Sequence, residues 1–258
     1  MQEISSNKIV FDGKREAALI EESLKVQGLL RGKKLMIIQC DGLGRESTYV
    51  RLKREAGERI GAVVEVVFAN GKEEILKTII NGDERADIDG ILVQLPMKGV
   101  EEIDVEQILY TVPEAKDVDG LNPKSSFVPA VVLAVETVFE KLNIARDLSV
   151  ALVGHEGMVG RRLYERLLQL GFVVSGFDRG DDLNLLRDFD VVIGATGAGE
   201  LITENMVKDE FVGIDLGYPK ADFSEGAIRK ARAITPVPGG VGPLTIVSLF
   251  VNLAETGN

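Results

Sequence analysis

The sequence "LSVALVGHEGMVGRRLYERLLQLGFVVSGFD", residues 148–178, decides the fold of this chain. Two apolar runs of strand length flank a segment whose apolar residues recur at helical spacing. Parallel strands need a crossover connection, usually a helix, and the stretch has that order. It therefore predicts a βαβ unit within a parallel sheet that is covered by helices.

The turn between this strand and this helix predicts a dinucleotide-binding site. Its first glycine permits a sharp turn, a later one lets phosphates approach backbone amides, and the helix N-terminus supplies positive potential. The spacing G-x-x-G-x-x-G differs from the common G-x-G-x-x-G, so the prediction depends on the strand-turn-helix context. The residues predicted to contact the cofactor here are Gly154, His155, Glu156, Gly157, Met158, Val159 and Gly160.

Asp178 ends the second strand of the unit and bears on the choice of cofactor. A carboxylate there accepts bonds from ribose hydroxyls and repels a 2′-phosphate, which favours NAD over NADP. Arg179 leaves NADP open; we expect an exposed loop cation there rather than a phosphate ligand. Thr196 and Gly197, which end the next buried run, complete the predicted cofactor site.

Strands and helices alternate along nearly the whole chain outside this stretch, which predicts an α/β fold of two domains. Residues 1–128 plus 244–258 are expected to form an N-terminal layered α/β domain. Residues 129–243 are expected to form a Rossmann-like dinucleotide-binding domain. The closing helix, "PLTIVSLFVNLAETGN", is predicted to pack back on the first domain.

Composition narrows the class of protein. The 258 residues are 45% hydrophobic and 28% charged, with a net charge of −11, which argues against nucleic-acid and anionic-membrane surfaces. The single cysteine, Cys40, fits a reducing compartment. The first residues lack a signal-peptide pattern and no stretch is long enough to span a bilayer, so we expect a cytoplasmic protein. With His155 as the one histidine, we expect no metal site and no Ser-His-Asp triad.

Several polar residues of the first half lie where a ligand could contact them. Tyr49 and Lys53 are four residues apart, hence on one face of a predicted helix. Gln94 ends a buried strand, and ligands of open α/β sheets bind beyond the carboxyl ends of strands. Asp117 and Asp119 occupy a loop. Taken alone, each also fits a solvated, capping or local backbone-binding role.

The stretch "TPVPGGVGPLT", residues 235–245, combines stiff prolines with bare glycines. Proline fixes φ, and glycine lets another molecule contact the main chain. A tight connection between two elements would explain one such cluster. Repetition favours a rigid loop whose backbone is itself a contact surface.

Together these stretches resemble the bifunctional methylenetetrahydrofolate dehydrogenase/cyclohydrolase family. The resemblance rests on six motifs in family order: "TYVRLK" (48–53), "DGILVQLP" (89–96), "KDVDG" (116–120), "GHEGMVG" (154–160), "GIDLG" (213–217) and "TPVPGGVGPLT" (235–245). The last motif is close to a family signature.

The resemblance implies oxidation of methylene-tetrahydrofolate with NAD or NADP, and hydrolysis of the methenyl product, by a homodimer. It implies that folate lies in a cleft between two domains, with the nicotinamide against it. Lys53 matches the catalytic lysine, Gln94 the glutamine that holds it, and Tyr49 the tyrosine that stacks on the pterin. Asp119 matches the aspartate that binds the pterin's amino edge. Leu95, Pro238 and Gly239 match positions that contact the substrate.

The chain also departs from the family pattern. His155 and Glu156 stand where Arg-Ser is usual, which removes a phosphate-binding arginine and supports NAD. Ala130, Val131 and Val132 replace Cys-Thr-Pro, Ala134 stands where glycine is common, and Glu46 replaces a serine. With the short 121–127 connection, these changes leave two alternatives open: a shikimate-type two-domain dehydrogenase, and a non-catalytic folate- or nucleotide-binding protein.

Overall fold

The structure is a computed structural model that describes residues 8–42 and 44–257. The chain forms two compact units, each built on a parallel sheet, and the predicted two-domain α/β class is confirmed. The three-stranded unit comprises Ala17–Ala130 and the chain from Ile246 to its last described residue. The six-stranded unit comprises the described residues through Glu16 and Val131–Thr245.

In chain order the elements are β1 (Ile9–Val10), α1 (Gly13–Gln27), β2 (Lys34–Gln39), α2 (Thr48–Ile60), β3 (Val63–Phe68), α3 (Gly71–Glu84), β4 (Gly90–Gln94), α4 (Glu102–Leu109), α5 (Ala130–Lys141), β5 (Ser149–Val153), α6 (Met158–Gln169), β6 (Val173–Phe177), a 3-10 helix (Leu183–Asp188), β7 (Val191–Gly194), β8 (Val212–Asp215), α7 (Glu225–Lys230), β9 (Ala233–Ile234) and α8 (Val241–Glu255). Among the described residues, none of the helices is both long and apolar enough to cross a membrane.

The sheet of the three-stranded unit has the order β3-β2-β4, with all pairs parallel. The strands β2 and β4 are continuous apolar runs, as expected for parallel strands covered on both faces. At Gly90, a Cβ would lie 2.8 Å from side-chain atoms of both Leu253 and Val118. Helix α8 therefore packs closely on this sheet, which confirms that the closing helix returns to the first domain.

The sheet of the six-stranded unit has the order β1-β9-β8-β7-β5-β6, again with all pairs parallel. Strand β5 lies between β6 and β7, so the chain departs from β5 to opposite sides of the sheet. Such a switch point leaves a crevice at the carboxyl ends of the strands, where open α/β sheets bind ligands. The glycine turn after β5 lies at that edge.

The first described residues belong to the six-stranded unit, which corrects their predicted place in the N-terminal domain. Ile9 and Val10 of β1 pair with Ala233 and Ile234 of β9. A Cβ on Gly13 would lie 1.7 Å from the carbonyl oxygen of Gly240, so this glycine packs directly on that backbone. The other two divisions fall between residues 130 and 131 and between residues 245 and 246.

Candidate active site

Helix α2 presents two of the predicted site residues on adjacent turns. Ser47 caps the helix, because its Oγ accepts a hydrogen bond from the Val50 amide at 3.3 Å. Tyr49 is half-buried, whereas Lys53 is only 7% exposed. A lysine on the buried face of a helix is rare because an unpaired charge is costly there. Burial therefore distinguishes Lys53 from a solvated lysine.

Gln94, at the end of β4, is the hydrogen-bond partner of the Lys53 ammonium. Lys53 Nζ donates to Gln94 Oε1 at 2.8 Å. Gln94 Nε2 donates to the carbonyl oxygen of Leu95 at 2.6 Å, which orients the amide with its oxygen toward the lysine. The lysine is thus held by a neutral acceptor, as the resemblance implies.

Two opposing influences act on the pKa of Lys53: its burial and the negative charge of Asp119. Burial lowers the pKa of the Lys53 ammonium, and the negative charge of Asp119 partly opposes that shift. Burial raises the pKa of the Asp119 carboxyl, and the positive charge of Lys53 opposes it in turn. A lysine with a lowered pKa has more of its neutral amine near neutral pH, and only the amine can accept a proton.

The loop "KDVDG" is shaped by the buried carboxylate of Asp117, which is 3% exposed. Asp117 Oδ1 accepts from the Gly120 amide at 3.2 Å, and Oδ2 accepts from the Asn122 amide at 2.8 Å. Gly120 has φ of 70°, and a Cβ there would lie 2.7 Å from the Pro129 backbone. Asp117 therefore binds local backbone, while Asp119 is the loop carboxylate that interacts with Lys53.

Asn252 on α8 also supports this loop, and the sequence analysis did not single it out. Its Nδ2 donates to the carbonyl oxygens of Val118 at 2.8 Å and Val128 at 2.9 Å. The side chain is 3% exposed. It therefore ties together both ends of the connection that contains Asp119. The available signal was one amide within the mostly apolar run "TIVSLFVNLA".

Asp117 is expected to make the free energy of unfolding depend on pH between about 4 and 7. Burial raises the pKa of the Asp117 carboxyl to about 7, and the Asp119 charge adds to the shift. The folded state thus holds this proton more tightly than the unfolded state, whose carboxyl has a pKa of about 4. The stabilisation is present below pH ~4 and is lost as the pH rises to ~7. Relative to Asp117→Asn, which lacks this titration, the free energy of unfolding of the unmodified protein should fall across that range.

Urea denaturation at a series of pH values between 4 and 8 measures this difference. Asp147→Asn changes an exposed aspartate in the same way and should keep the unmodified pH dependence. Parallel curves for Asp117→Asn and the unmodified protein would contradict the assignment.

The glycine turn packs closely against neighbouring backbone. Gly154 has φ of 89°, and a Cβ there would lie 2.7 Å from the Ala195 carbonyl oxygen. A Cβ on Gly160 would lie 2.0 Å from the Gly154 carbonyl oxygen. Gly157 precedes α6 and offers no side-chain cap, while Met158 and Val159 form the first helical residues. The turn therefore leads directly into the N-terminus of α6, where helices carry positive potential.

Asp178 lies beside this turn, together with His155 and Glu156. Its Oδ2 accepts from the Glu156 amide at 2.7 Å and lies 2.9 Å from His155 Nδ1. A Cβ on Gly176 would lie 2.4 Å from the imidazole ring, so this glycine makes room for His155. Arg179 is exposed. The structure thus places the Asp178 carboxylate against the turn.

The remaining predicted residues also lie in the six-stranded unit. Thr196 and Gly197 follow β7 and adjoin the turn, because the Ala195 amide donates to Val153 at 2.9 Å. Gly239 has φ of 108° and follows Pro238, whose peptide bond with Val237 is cis. The predicted substrate residues are therefore divided: Pro238 and Gly239 in the six-stranded unit; Tyr49, Lys53, Gln94, Leu95 and Asp119 in the three-stranded unit.

The family called tetrahydrofolate dehydrogenase/cyclohydrolase matches this chain in two parts. Its catalytic domain matches residues 11–119, and its NAD(P)-binding domain matches residues 129–258. The chain belongs to this family. A curated relative, the bifunctional protein FolD of Staphylococcus aureus, is 34% identical over 261 residues, which cover 91% of this chain and 89% of that protein.

Two solved structures show the same fold over nearly the whole chain. The bifunctional FolD methylenetetrahydrofolate dehydrogenase/cyclohydrolase of Campylobacter jejuni has a TM-score of 0.87 at 30% identity, over 96% of this chain and 98% of that one. The Trypanosoma brucei FolD, solved with NADP and an inhibitor, has a TM-score of 0.85 at 26% identity, over 95% and 96% of the two chains.

The shikimate-type alternative receives support at the level of fold alone. Shikimate 5-dehydrogenase of Thermus thermophilus has a TM-score of 0.56 at 12% identity, over 85% of this chain and 91% of that one. The described residues also contain no group of three or more His, Cys, Asp or Glu placed to hold a metal.

Proposed function

We propose that this protein oxidises methylene-tetrahydrofolate to methenyl-tetrahydrofolate with a nicotinamide cofactor, and then hydrolyses the methenyl compound to formyl-tetrahydrofolate. The observation that carries the proposal is the buried Lys53 in a chain of this family. Its ammonium donates a hydrogen bond to Gln94 and interacts with the negative charge of Asp119. A protein that only bound folate or nucleotide would have no use for a buried amine with a lowered pKa.

The three-stranded unit supplies the catalytic residues of the folate site. Tyr49 stacks on the pterin, Asp119 binds its amino edge, and Leu95 borders the substrate. Support comes from α2, which carries Tyr49 one turn before Lys53, and from the interaction of Asp119 with Lys53. Pro238 and Gly239, in the six-stranded unit, match family positions that contact the substrate.

Lys53 transfers the proton in the hydrolytic step. Its neutral amine accepts a proton from water as the water oxygen bonds to the methenyl carbon. The ammonium then donates that proton to the departing nitrogen as a carbon–nitrogen bond breaks. The hydroxyl on the same carbon releases its proton to solvent as it becomes the formyl carbonyl, so Lys53 returns to its starting state. Gln94 Oε1, 2.8 Å from Nζ, orients the amine without adding a charge.

Oxidation depends on alignment more than on acid-base help. When bound, the nicotinamide supplies the acceptor for a hydride from the methylene carbon. The residues Gly154 to Gly160 would hold the pyrophosphate at the N-terminus of α6, and Thr196 and Gly197 would line the adjoining part of the site. These residues orient the cofactor and take up no proton.

The arrangement around Asp178 supports NAD as the preferred cofactor. A 2′-phosphate carries about −1.5 to −2 charges at neutral pH. It would face the carboxylate of Asp178, and Glu156 adds a second negative charge to the same turn. We expect Asp178→Asn to raise the ratio of kcat/KM with NADP to kcat/KM with NAD by about tenfold. That factor corresponds to the removal of about 1.4 kcal/mol of electrostatic repulsion.

Steady-state kinetics with both cofactors measure this ratio, and Asp188→Asn, an exposed aspartate of the same unit, is the matched control. Strong preference of the unmodified protein for NADP would overturn the NAD assignment and give Arg179 the phosphate-binding role.

A spectrophotometric assay of methenyl-tetrahydrofolate formation, with NAD and NADP in turn, tests the function as a whole. Product with either cofactor, followed by its hydrolysis, supports the proposal. Oxidation of shikimate instead would identify the first alternative. Binding of folate without turnover would identify the second.

The proposal extends to a homodimer in the cytoplasm. The homodimer follows from the family resemblance, and the single cysteine fits a reducing compartment. Light scattering on the purified protein gives the molar mass, and a monomer would contradict this part.

A further inference from the structure

Two buried carboxylates lie at the carboxyl edge of the six-stranded sheet, and the proposed chemistry uses neither. Asp215 ends β8 and is 2% exposed, while Asp222 in the following loop is 0% exposed. Full burial of a carboxylate is costly unless several donors surround it. The donors around Asp222 therefore indicate what this residue does.

The Asp222 carboxylate accepts hydrogen bonds from the loop that follows β7. Oδ2 accepts from the amide of Thr196 at 2.7 Å and from that of Gly197 at 3.4 Å. Oδ1 accepts from Thr196 Oγ1 at 2.8 Å, and the Gly199 amide lies 3.5 Å away. One side chain thus orients the amides of a segment that is half-buried to exposed.

The surroundings hold Asp222 itself in place. A Cβ on Gly194, the last residue of β7, would lie 2.8 Å from the Asp222 Cβ, so this glycine provides the space. Asp215 accepts from the amides of Asp222 at 3.1 Å and Phe223 at 3.2 Å. Asp215 therefore orients the backbone that carries Asp222.

The oriented segment, residues 196–199, adjoins the glycine turn. The Ala195 carbonyl oxygen is the atom nearest to a Cβ built on Gly154, at 2.7 Å. The turn and the segment thus form one edge at the switch point of the sheet. A ligand with its phosphates on the turn would extend over residues 196–199.

We infer that Asp222 is a positioning residue that holds residues 196–199 in the conformation that binds the nicotinamide cofactor. The inference rests on the proposed function. It assigns no contact between Asp222 and the cofactor, because the carboxylate is buried beneath the loop. The folate-hydrolysing residues are bonded to other elements and do not depend on it.

Asp222→Asn keeps one acceptor oxygen and Asp222→Ala removes both. We expect the dissociation constant for NAD, measured by calorimetry, to rise about 10- to 100-fold in Asp222→Ala and less in Asp222→Asn. Hydrolysis of methenyl-tetrahydrofolate, which consumes no nicotinamide, should stay within about twofold of the unmodified rate. Hydrogen exchange of cofactor-free protein should be faster in residues 195–200 and unchanged in β5.

Unchanged NAD affinity in a folded Asp222 variant, or an equal loss of hydrolysis, would overturn the inference. Failure of the unmodified protein to bind either NAD or NADP would instead contradict the proposed function. If the Asp222 variants do not fold, Thr196→Val removes the hydroxyl donor and Thr196→Ser keeps it. Equal hydrogen exchange of residues 195–200 in these two variants would then overturn the inference.

Discussion

Lys53→Met is expected to lower the rate of methenyl-tetrahydrofolate hydrolysis by about 10²- to 10⁴-fold, the usual contribution of a positioned acid-base group. Methionine matches the length of the lysine stem, and Asp119, whose pKa burial already raises, can take up a proton once its countercharge is gone, so we expect the fold to persist. The hydride transfer needs alignment and no proton transfer by Lys53, so the dehydrogenase rate should fall far less. The loss of methenyl absorbance, followed under conditions without nicotinamide, measures the hydrolysis.

Two further variants sharpen this prediction. Lys53→Arg keeps a positive charge that stays protonated, so it should fail in hydrolysis as Lys53→Met does. Lys77→Met makes the same chemical change at an exposed lysine on α3 and should leave hydrolysis unchanged. Full hydrolysis by Lys53→Met, or rescue by arginine, would exclude Lys53 as the proton-transferring group.

Phe250→Ala is expected to lower the free energy of unfolding by about 3–5 kcal/mol, as for other fully buried phenylalanines. Phe250 on α8 is 0% exposed. Its ring lies against α2, because a Cβ on Gly57 would come within 2.9 Å of two ring atoms. The substitution leaves a cavity beneath the helix that carries Lys53, so hydrolysis should fall as well. Urea denaturation followed by circular dichroism measures the change.

Ile103→Ala is the matched control for this prediction. Ile103 on α4 is 73% exposed, so its truncation should change stability by no more than about 0.5 kcal/mol. A similar loss in both variants would show that α8 does not stabilise the fold through Phe250.

The predicted catalytic and cofactor residues share one property by which the sequence indicates them. Each belongs to a short motif whose spacing predicts a helix face, a strand end or a turn. Tyr49 and Lys53 fall on one helical face, and Gln94 follows a strand whose apolar run is unmistakable. Gly154 and Gly160 flank the start of a helix. Local geometry therefore indicated which side chains would gather at strand ends and helix faces.

The burial of Lys53 could not be predicted in the same way. Helical periodicity places the residue on a face, but whether that face is covered depends on elements distant in the chain, such as β4, whose Gln94 lies 41 residues later. The same holds for the lowered pKa of Lys53, which arises from burial by elements distant in the chain. The motif in the sequence indicates Lys53 as a candidate, and tertiary packing lowers the pKa of its ammonium.

The sequence by itself determined the parallel strands, their helices and the glycine turn, because apolar period and backbone freedom act over a few neighbouring residues. Only the tertiary structure decided that β1 pairs with β9, that Asn252 bonds a loop 134 residues away, and that Asp222 bonds Thr196. These contacts join different segments of the chain. A single aspartate or asparagine forms no repeating pattern from which its hydrogen-bond partner could be predicted. Their positions follow from the packing of whole elements.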